Sequence, residues 1–296
     1  MSPHVLLLLG VTAVWGTTFP LLKSLLASLS GIEISALRFV IAALCMAPFL
    51  MRVPRHTWLD GLLLGALALV SYVAQAWGLE FISSNRSAFL TSLNVLMVPL
   101  IGAALGAQLS VRVLGCAALA CAGIGLMSWE GGANLRGDLA TMVCALAYAC
   151  YVIVLSGRAA RHNLRQLAAT QIAVMALLAC AWLLGAAFLD AKPSNLLARA
   201  APHWLALTYL GVIATAAMLF LQAMGQRAVS ADKAAVIFAL EPVFAALAAW
   251  LWIGELLSSR AALGGALVLV AVIFSEHQPG HLKLLFKAQE RSLHEP

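Results

Sequence analysis

In the apolar run AVIFALEPVFAALAAWLWIGE, Ala235 to Glu255, a carboxylate and a helix breaker stand side by side as Glu241 and Pro242. A charge inside a membrane helix costs about 2.5–3.5 kcal/mol even on insertion scales, so Glu241 needs a partner, a proton or a polar cavity. Pro242 has no backbone N–H and frees a carbonyl one turn earlier. Three amides in other apolar runs, Gln75, Asn94 and Gln222, could join the carboxylate. This chemistry allows two uses. The groups could hydrogen-bond across helices as clamps, or they could line a path, bind the head group of a polar solute and, at Glu241, a proton.

Catalytic chemistry is not indicated. The chain has no GxSxG elbow, Walker lysine loop or HExxH pair. All seven histidines fall at helix ends or outside the apolar runs. The six cysteines, Cys45, Cys116, Cys121, Cys144, Cys150 and Cys180, lie inside apolar runs without a CxxC pair, which predicts neither a disulfide framework nor a zinc site. No cofactor, no metal and no enzymatic activity are expected. No group of Lys or Arg lies deep in the apolar runs, so a multiply charged anion would lack counter-charge. Arg38 reads as pairing with Glu33 or snorkelling to the interface, and Lys23 as snorkelling.

These residues need an apolar scaffold, and composition supplies it. Of 296 residues 63% are hydrophobic and 10% charged, against about 25% charged in a soluble domain. The bilayer must therefore be the solvent for most of the chain. Ten segments have the length to cross: 4–26, 32–51, 59–81, 86–106, 111–129, 137–156, 166–189, 203–225, 234–254 and 261–276. The first lacks a basic leader region, so it reads as a membrane helix and not as a cleaved signal. With both termini cytoplasmic, eleven Lys and Arg fall inside and seven outside. That bias accounts for the net charge of +6 without invoking nucleic acid. The basic tail 279–296 is predicted to be cytoplasmic, and Trp250 and Trp252 to anchor at an interface.

A repeat runs through these spans. Shifted by 147 residues, VAQAWGLEFISSNRSAFLTSLNV (73–95) falls on FLQAMGQRAVSADKAAVIFALEP (220–242). Gln75 meets Gln222, Arg86 meets Lys233, and Asn94 meets Glu241. The copies lie five helices apart, and an odd number reverses direction across the membrane. Residues 1–131 and 132–278 thus read as inverted five-helix halves, a carrier design with the site at their seam. Pro99 in the fourth span and Pro242 in the ninth are the candidate hinges. Counted from the turns, Gln75 and Asn94 form a layer in the outer half of the membrane, and Gln222 and Glu241 one in the inner half. Glycines 61 and 65, and 102 and 106, are spaced for close helix packing.

The segment ALEPVFAALAAWLWIGELLSSRAALGGALVLVAVI (239–273), with AVWGTTFP in the first span, ALRFVIAAL in the second and ALAYACYVIVLSGRA in the sixth, resembles EamA-type members of the drug/metabolite transporter superfamily. The resemblance covers nearly the whole chain and is closest to the amino-acid exporter branch, including aromatic amino-acid exporters. One departure is Tyr148, where many relatives have Trp. The resemblance implies an all-α membrane protein of ten helices in two inverted halves, with spans one, three, four, six, eight and nine around a central cavity. On those spans Trp15, Tyr72, Gln75, Tyr148, Tyr151, Phe220 and Gln222 become candidate substrate contacts, beside Asn94 and Glu241. Rings would pack apolar parts of a solute while amides bond its head group; for each ring, packing or a lipid-facing place is the alternative.

The expected function is export of small amphipathic metabolites, most like amino acids including aromatic ones, by alternating access in the inner (plasma) membrane. The rivals are a cationic-drug exporter of the same fold, with Glu241 attracting the cation, and a channel. The expected partners are a small-molecule solute, the lipid bilayer and, as candidate coupling ion, H+, since no ATP site is present.

Overall fold

The computed structural model describes residues 2–107, 110–128, 134–190, 195–253 and 259–276. All regular structure among them is helical. The long helices are α1 (Pro3–Leu25), α2 (Gly31–Met46) and α3 (Arg55–Phe81). The next stretch is broken into α4 (Ser84–Ser92) and α5 (Asn94–Ala104), followed by α6 (Val111–Ser128), α7 (Leu135–Arg158) and α8 (Leu164–Asp190). Then come the short α9 (Leu196–Ala200) and α10 (Trp204–Thr208), a π-helical stretch (Tyr209–Ala217) and α11 (Met218–Gln226). A second broken stretch, α12 (Ala231–Phe238) and α13 (Glu241–Ile253), precedes α14 (Ser259–Glu276).

Within the described residues each of the ten predicted segments falls on helix, the fourth and ninth each broken in two. Seven helical stretches among the described residues are long and apolar enough to cross a membrane, with two shorter apolar ones at Val111–Leu126 and Ala262–Phe274. The predicted tail, from 279, lies outside the described residues, as do the side chains of Trp250 and Trp252.

Local sequence explains where helices start. Ser2 Oγ accepts from the Val5 N–H with Pro3 in the first turn. Ser30 and Glu33 form a reciprocal capping box at α2. Ser83 caps α4 through the Arg86 N–H, and Asn134 caps α7 through the Gly137 N–H.

Helix faces then divide between core and surroundings. Leu59, Leu62, Trp77, Leu177, Trp182, Leu184 and Phe274 are exposed, as expected of surfaces turned to acyl chains. Inside, small residues let backbones approach. A Cβ on Gly61 would collide with Thr170, and one on Gly65 with the Gln171 carbonyl, so α3 lies directly on α8. Gly106 has a different use from the packing predicted for it. It sits at the end of α5 with φ +93°, nothing lies within 4 Å of its missing Cβ, and the Ala107 N–H returns to the Gly102 carbonyl. It is a helix-stop glycine.

Charges gather near helix ends. Arg86 makes a two-pronged pair with Asp138, at 2.7 and 2.8 Å. Asp60 takes Arg158 and, at 2.7 Å, His162. Glu33 is held by Arg199 from α9, and not by Arg38. Lys23, read as snorkelling, places its ammonium on the carbonyls of Leu79 and Ile82 at the end of α3.

Candidate functional site

The two broken stretches set the geometry. In one, the Leu93 N–H reaches back three residues to Leu90, and the Met97 N–H bonds to Leu93. In the other, the Leu240 N–H reaches Ile237 and the Phe244 N–H bonds to Leu240. Each position in the second set lies 147 residues after its mate. The causes differ. Asn94 Nδ2 donates to the Thr91 carbonyl at 2.8 Å, competing for the acceptor that a continuous helix offers to residue 95. On the other side Pro242, in the first turn of α13, brings no N–H to bridge the gap. The break in the first stretch therefore falls six residues before Pro99, which sits inside α5.

Between the breaks lies a cavity lined by Trp15, Thr18, Arg38, Ser71, Tyr72, Gln75, Thr91, Cys144, Tyr148 and Glu241. Five residues singled out from the sequence, Trp15, Tyr72, Gln75, Tyr148 and Glu241, meet there. Gln75 and Glu241 were expected in separate layers. Ten residues from either turn advance about 15 Å, and both side chains line the one cavity, so the two layers are not separate. The cavity volume is about 30 Å³. That is room for about two waters, so this state is constricted.

Ring contacts build one wall. Trp15 meets Tyr148 edge-on at 5.9 Å and Phe238 at 5.8 Å, while Tyr148 and Phe238 are 5.7 Å apart. Trp15 Nε1 donates to the Ala214 carbonyl of the π-helical stretch at 2.9 Å, which fixes the indole plane.

The other predicted residues stand behind this lining. Gln222 is fully buried and donates to the Tyr148 hydroxyl at 3.0 Å and to Gln226 at 2.9 Å. Tyr151 stacks on Tyr148 and donates to Gln171 at 3.1 Å. Asn94 is buried on its own turn, with Oδ1 unpartnered. Phe220 packs half-buried against the apolar core. No hydrogen bond joins Gln75 to Asn94 or Gln222 to Glu241, so neither predicted clamp forms.

Arg38 is the residue that sequence reasoning misplaced. It is 3% exposed, its Nε donates to Thr215 Oγ1 at 3.0 Å, and its guanidinium lies 4.8 Å from the centre of the Tyr72 ring. Thr215 is set for this by its own bond to the Leu210 carbonyl five residues back. Gly211 lets the stretch press on the Arg38 carbonyl. A π-helical insertion re-aims one turn and recurs at functional sites, and no local pattern announced it. Thr18, Ser71, Thr91 and Cys144 were also missed. Small polar residues are common on helix interfaces and carry little signal.

Comparison with known proteins decides the family. The model of the EamA-like transporter family matches residues 2–129 and again 135–276. The chain belongs to the EamA-like transporter family. Two proteins of Archaeoglobus fulgidus, each described as an uncharacterized transporter, resemble this EamA chain. One is 29% identical over 89% of this chain and 82% of its own length, the other 24% identical over 82% and 86%. A solved crystal structure superposes with a TM-score of 0.73 at 19% identity, covering 93% of this chain and 97% of the other. That likeness concerns the fold. Family membership makes the EamA chain a multi-pass membrane transporter, not an enzyme.

Proposed function

We propose that this EamA-family protein is a secondary carrier exporting small amphipathic metabolites, amino acids including aromatic ones, by alternating access. The observation that carries the reading is the common cavity of Trp15, Tyr72, Gln75, Tyr148 and Glu241. Rings, one amide and one carboxylate suit a solute with an apolar body and a polar head. Ten helices in two inverted halves, 1–131 and 132–278, frame it. Support comes from the matched breaks at Leu93 and Leu240 and from a family match in two consecutive stretches. The cavity's constriction fits a state between openings, which the broken helices would widen by hinging. Both termini face the cytoplasm in this reading, in the inner membrane, with H+ as coupling ion through Glu241.

Proteoliposomes loaded with unlabelled amino acids of graded side-chain size test it. Labelled phenylalanine is expected to accumulate transiently by counterflow, to saturate, and to be displaced by related amino acids better than by cationic dyes. Currents of many ions per opening would replace the carrier with a channel. Displacement by dyes alone would favour the cationic-drug reading. The Glu241→Gln protein is expected to lose the response of transport to pH. An unchanged pH profile removes Glu241 as the proton site.

A further inference from the structure

A guanidinium and an ionisable carboxyl group share the cavity without touching. Among the described residues, no cation lies within 4.0 Å of the Glu241 carboxylate, and Arg38 has no acidic partner. Arg38 commits only Nε to the protein, on Thr215, and rests on Tyr72. Its two Nη groups form no hydrogen bond to a described residue, and the side chain lines the cavity. Both residues are buried, at 3% and 7% exposure. A buried guanidinium without a counter-charge is costly, and a purely structural pair would close to contact.

We infer that Arg38 and Glu241 are the two poles of one zwitterion site, with Arg38 receiving the carboxylate of the cargo and Glu241 its ammonium group. The inference rests on the carrier reading and narrows its substrate class to α-amino acids and similar zwitterions. A guanidinium whose Nη pair is uncommitted matches a carboxylate in a two-pronged bond. Held by Thr215 and by the Tyr72 ring, it is aimed before the cargo arrives, so little order is lost on binding. A zwitterion compensates both poles at once. A cation answers only Glu241 and leaves Arg38 facing a like charge; an anion answers only Arg38. Discrimination then comes from the unanswered pole as much as from the answered one. The rings of Trp15 and Tyr148 are left for the apolar side chain.

The test uses wild-type proteoliposomes and two matched sets: phenylalanine, phenethylamine and 3-phenylpropionate; and leucine, isopentylamine and 4-methylpentanoate. In at least one set the amino acid is expected to compete about tenfold or more better than either singly charged analogue. This ratio needs no variant. In Arg38→Gln the amino acid is expected to weaken about tenfold or more while the amine holds or gains; in Glu241→Gln the acid, not the amine, is spared. Arg38→Lys, retaining the charge without the fork, is expected to fall between. A shift in Tm of the detergent-solubilised protein on adding each solute reads binding without transport.

An amine that competes as well as its amino acid in wild type overturns the inference and spares the carrier. A uniform loss across all solutes in folded Arg38→Gln also overturns it, assigning Arg38 to packing alone. If Arg38→Gln does not fold, the wild-type ratio and Arg38→Lys decide. Binding of the amino acid that is lost in Arg38→Gln, with no transport of any solute, sustains the site and overturns the carrier reading instead. Neither binding nor transport of any solute overturns the site.

Discussion

Gly16→Val is expected to lower Tm by about 5 °C or more and to cut transport about a hundredfold, because α1 has no room for a side chain there. A Cβ at position 16 would stand 2.8 Å from Phe244 Cβ, 2.9 Å from the Ala245 nitrogen and 2.9 Å from the Glu241 carbonyl oxygen. Two of those three are backbone atoms of α13, so no rotamer change relieves the clash. The helices must part, at about 1–3 kcal/mol for overpacking. Trp15 is the neighbouring residue and Glu241 one of the atoms struck, so parting them pulls apart two walls of the cavity. Gly10→Ala is the control. It lies on the same helix with nothing within 4 Å of its missing Cβ, and Ala is the better helix former by about 0.5–1 kcal/mol. Its Tm is expected to hold or rise and its transport to stay unchanged. Thermal unfolding in detergent and initial uptake rates measure both. A Gly16→Val protein with wild-type Tm and rate would show that α1 and α13 are not locked together as described.

The contrast between these glycines marks what could be read without coordinates. Periodicity and length placed the helices well: 4–26 against Pro3–Leu25, and 111–129 against Val111–Ser128. Both rest on burying one face and exposing backbone to no solvent, which a single segment reports by itself. The cavity was half legible. Gln75, Tyr72, Tyr148, Trp15 and Glu241 stood out as polar or aromatic groups in apolar runs, but that they line one cavity followed only from the packing of the helices. Arg38 was not legible, since its aim depends on a π-helical turn in another element and on Gly211 allowing that element to approach. Gln222 was read as a contact, whereas its amide supports the Tyr148 hydroxyl from behind. One residue type in one span does not reveal whether it stands in front of or behind a neighbour's ring.

Pro242→Ala is expected to separate stability from function. The new N–H at position 242 can reach the Phe238 carbonyl and join α12 to α13, a bond worth about 0.5–1.5 kcal/mol. Pro242 stands in the first turn of α13, where proline is tolerated, so little strain is relieved by its removal. Tm is therefore expected to hold or rise slightly. Transport is expected to fall about tenfold or more, because a continuous helix cannot bend at Leu240 to widen a cavity with room for only about two waters. Pro99→Ala makes the comparison sharp. Its new N–H would reach the Val95 carbonyl inside α5, beyond the break at Leu93, which Asn94 maintains through Thr91. That variant is expected to keep its break and most of its transport, so that proline acts as a hinge in one stretch and asparagine in the other. Asn94→Leu then becomes the true counterpart of Pro242→Ala, with uptake falling in both. Equal losses in Pro99→Ala and Pro242→Ala would instead return the hinge to the two prolines, and full transport in Pro242→Ala would mean that the transporter works without bending at the Glu-Pro step.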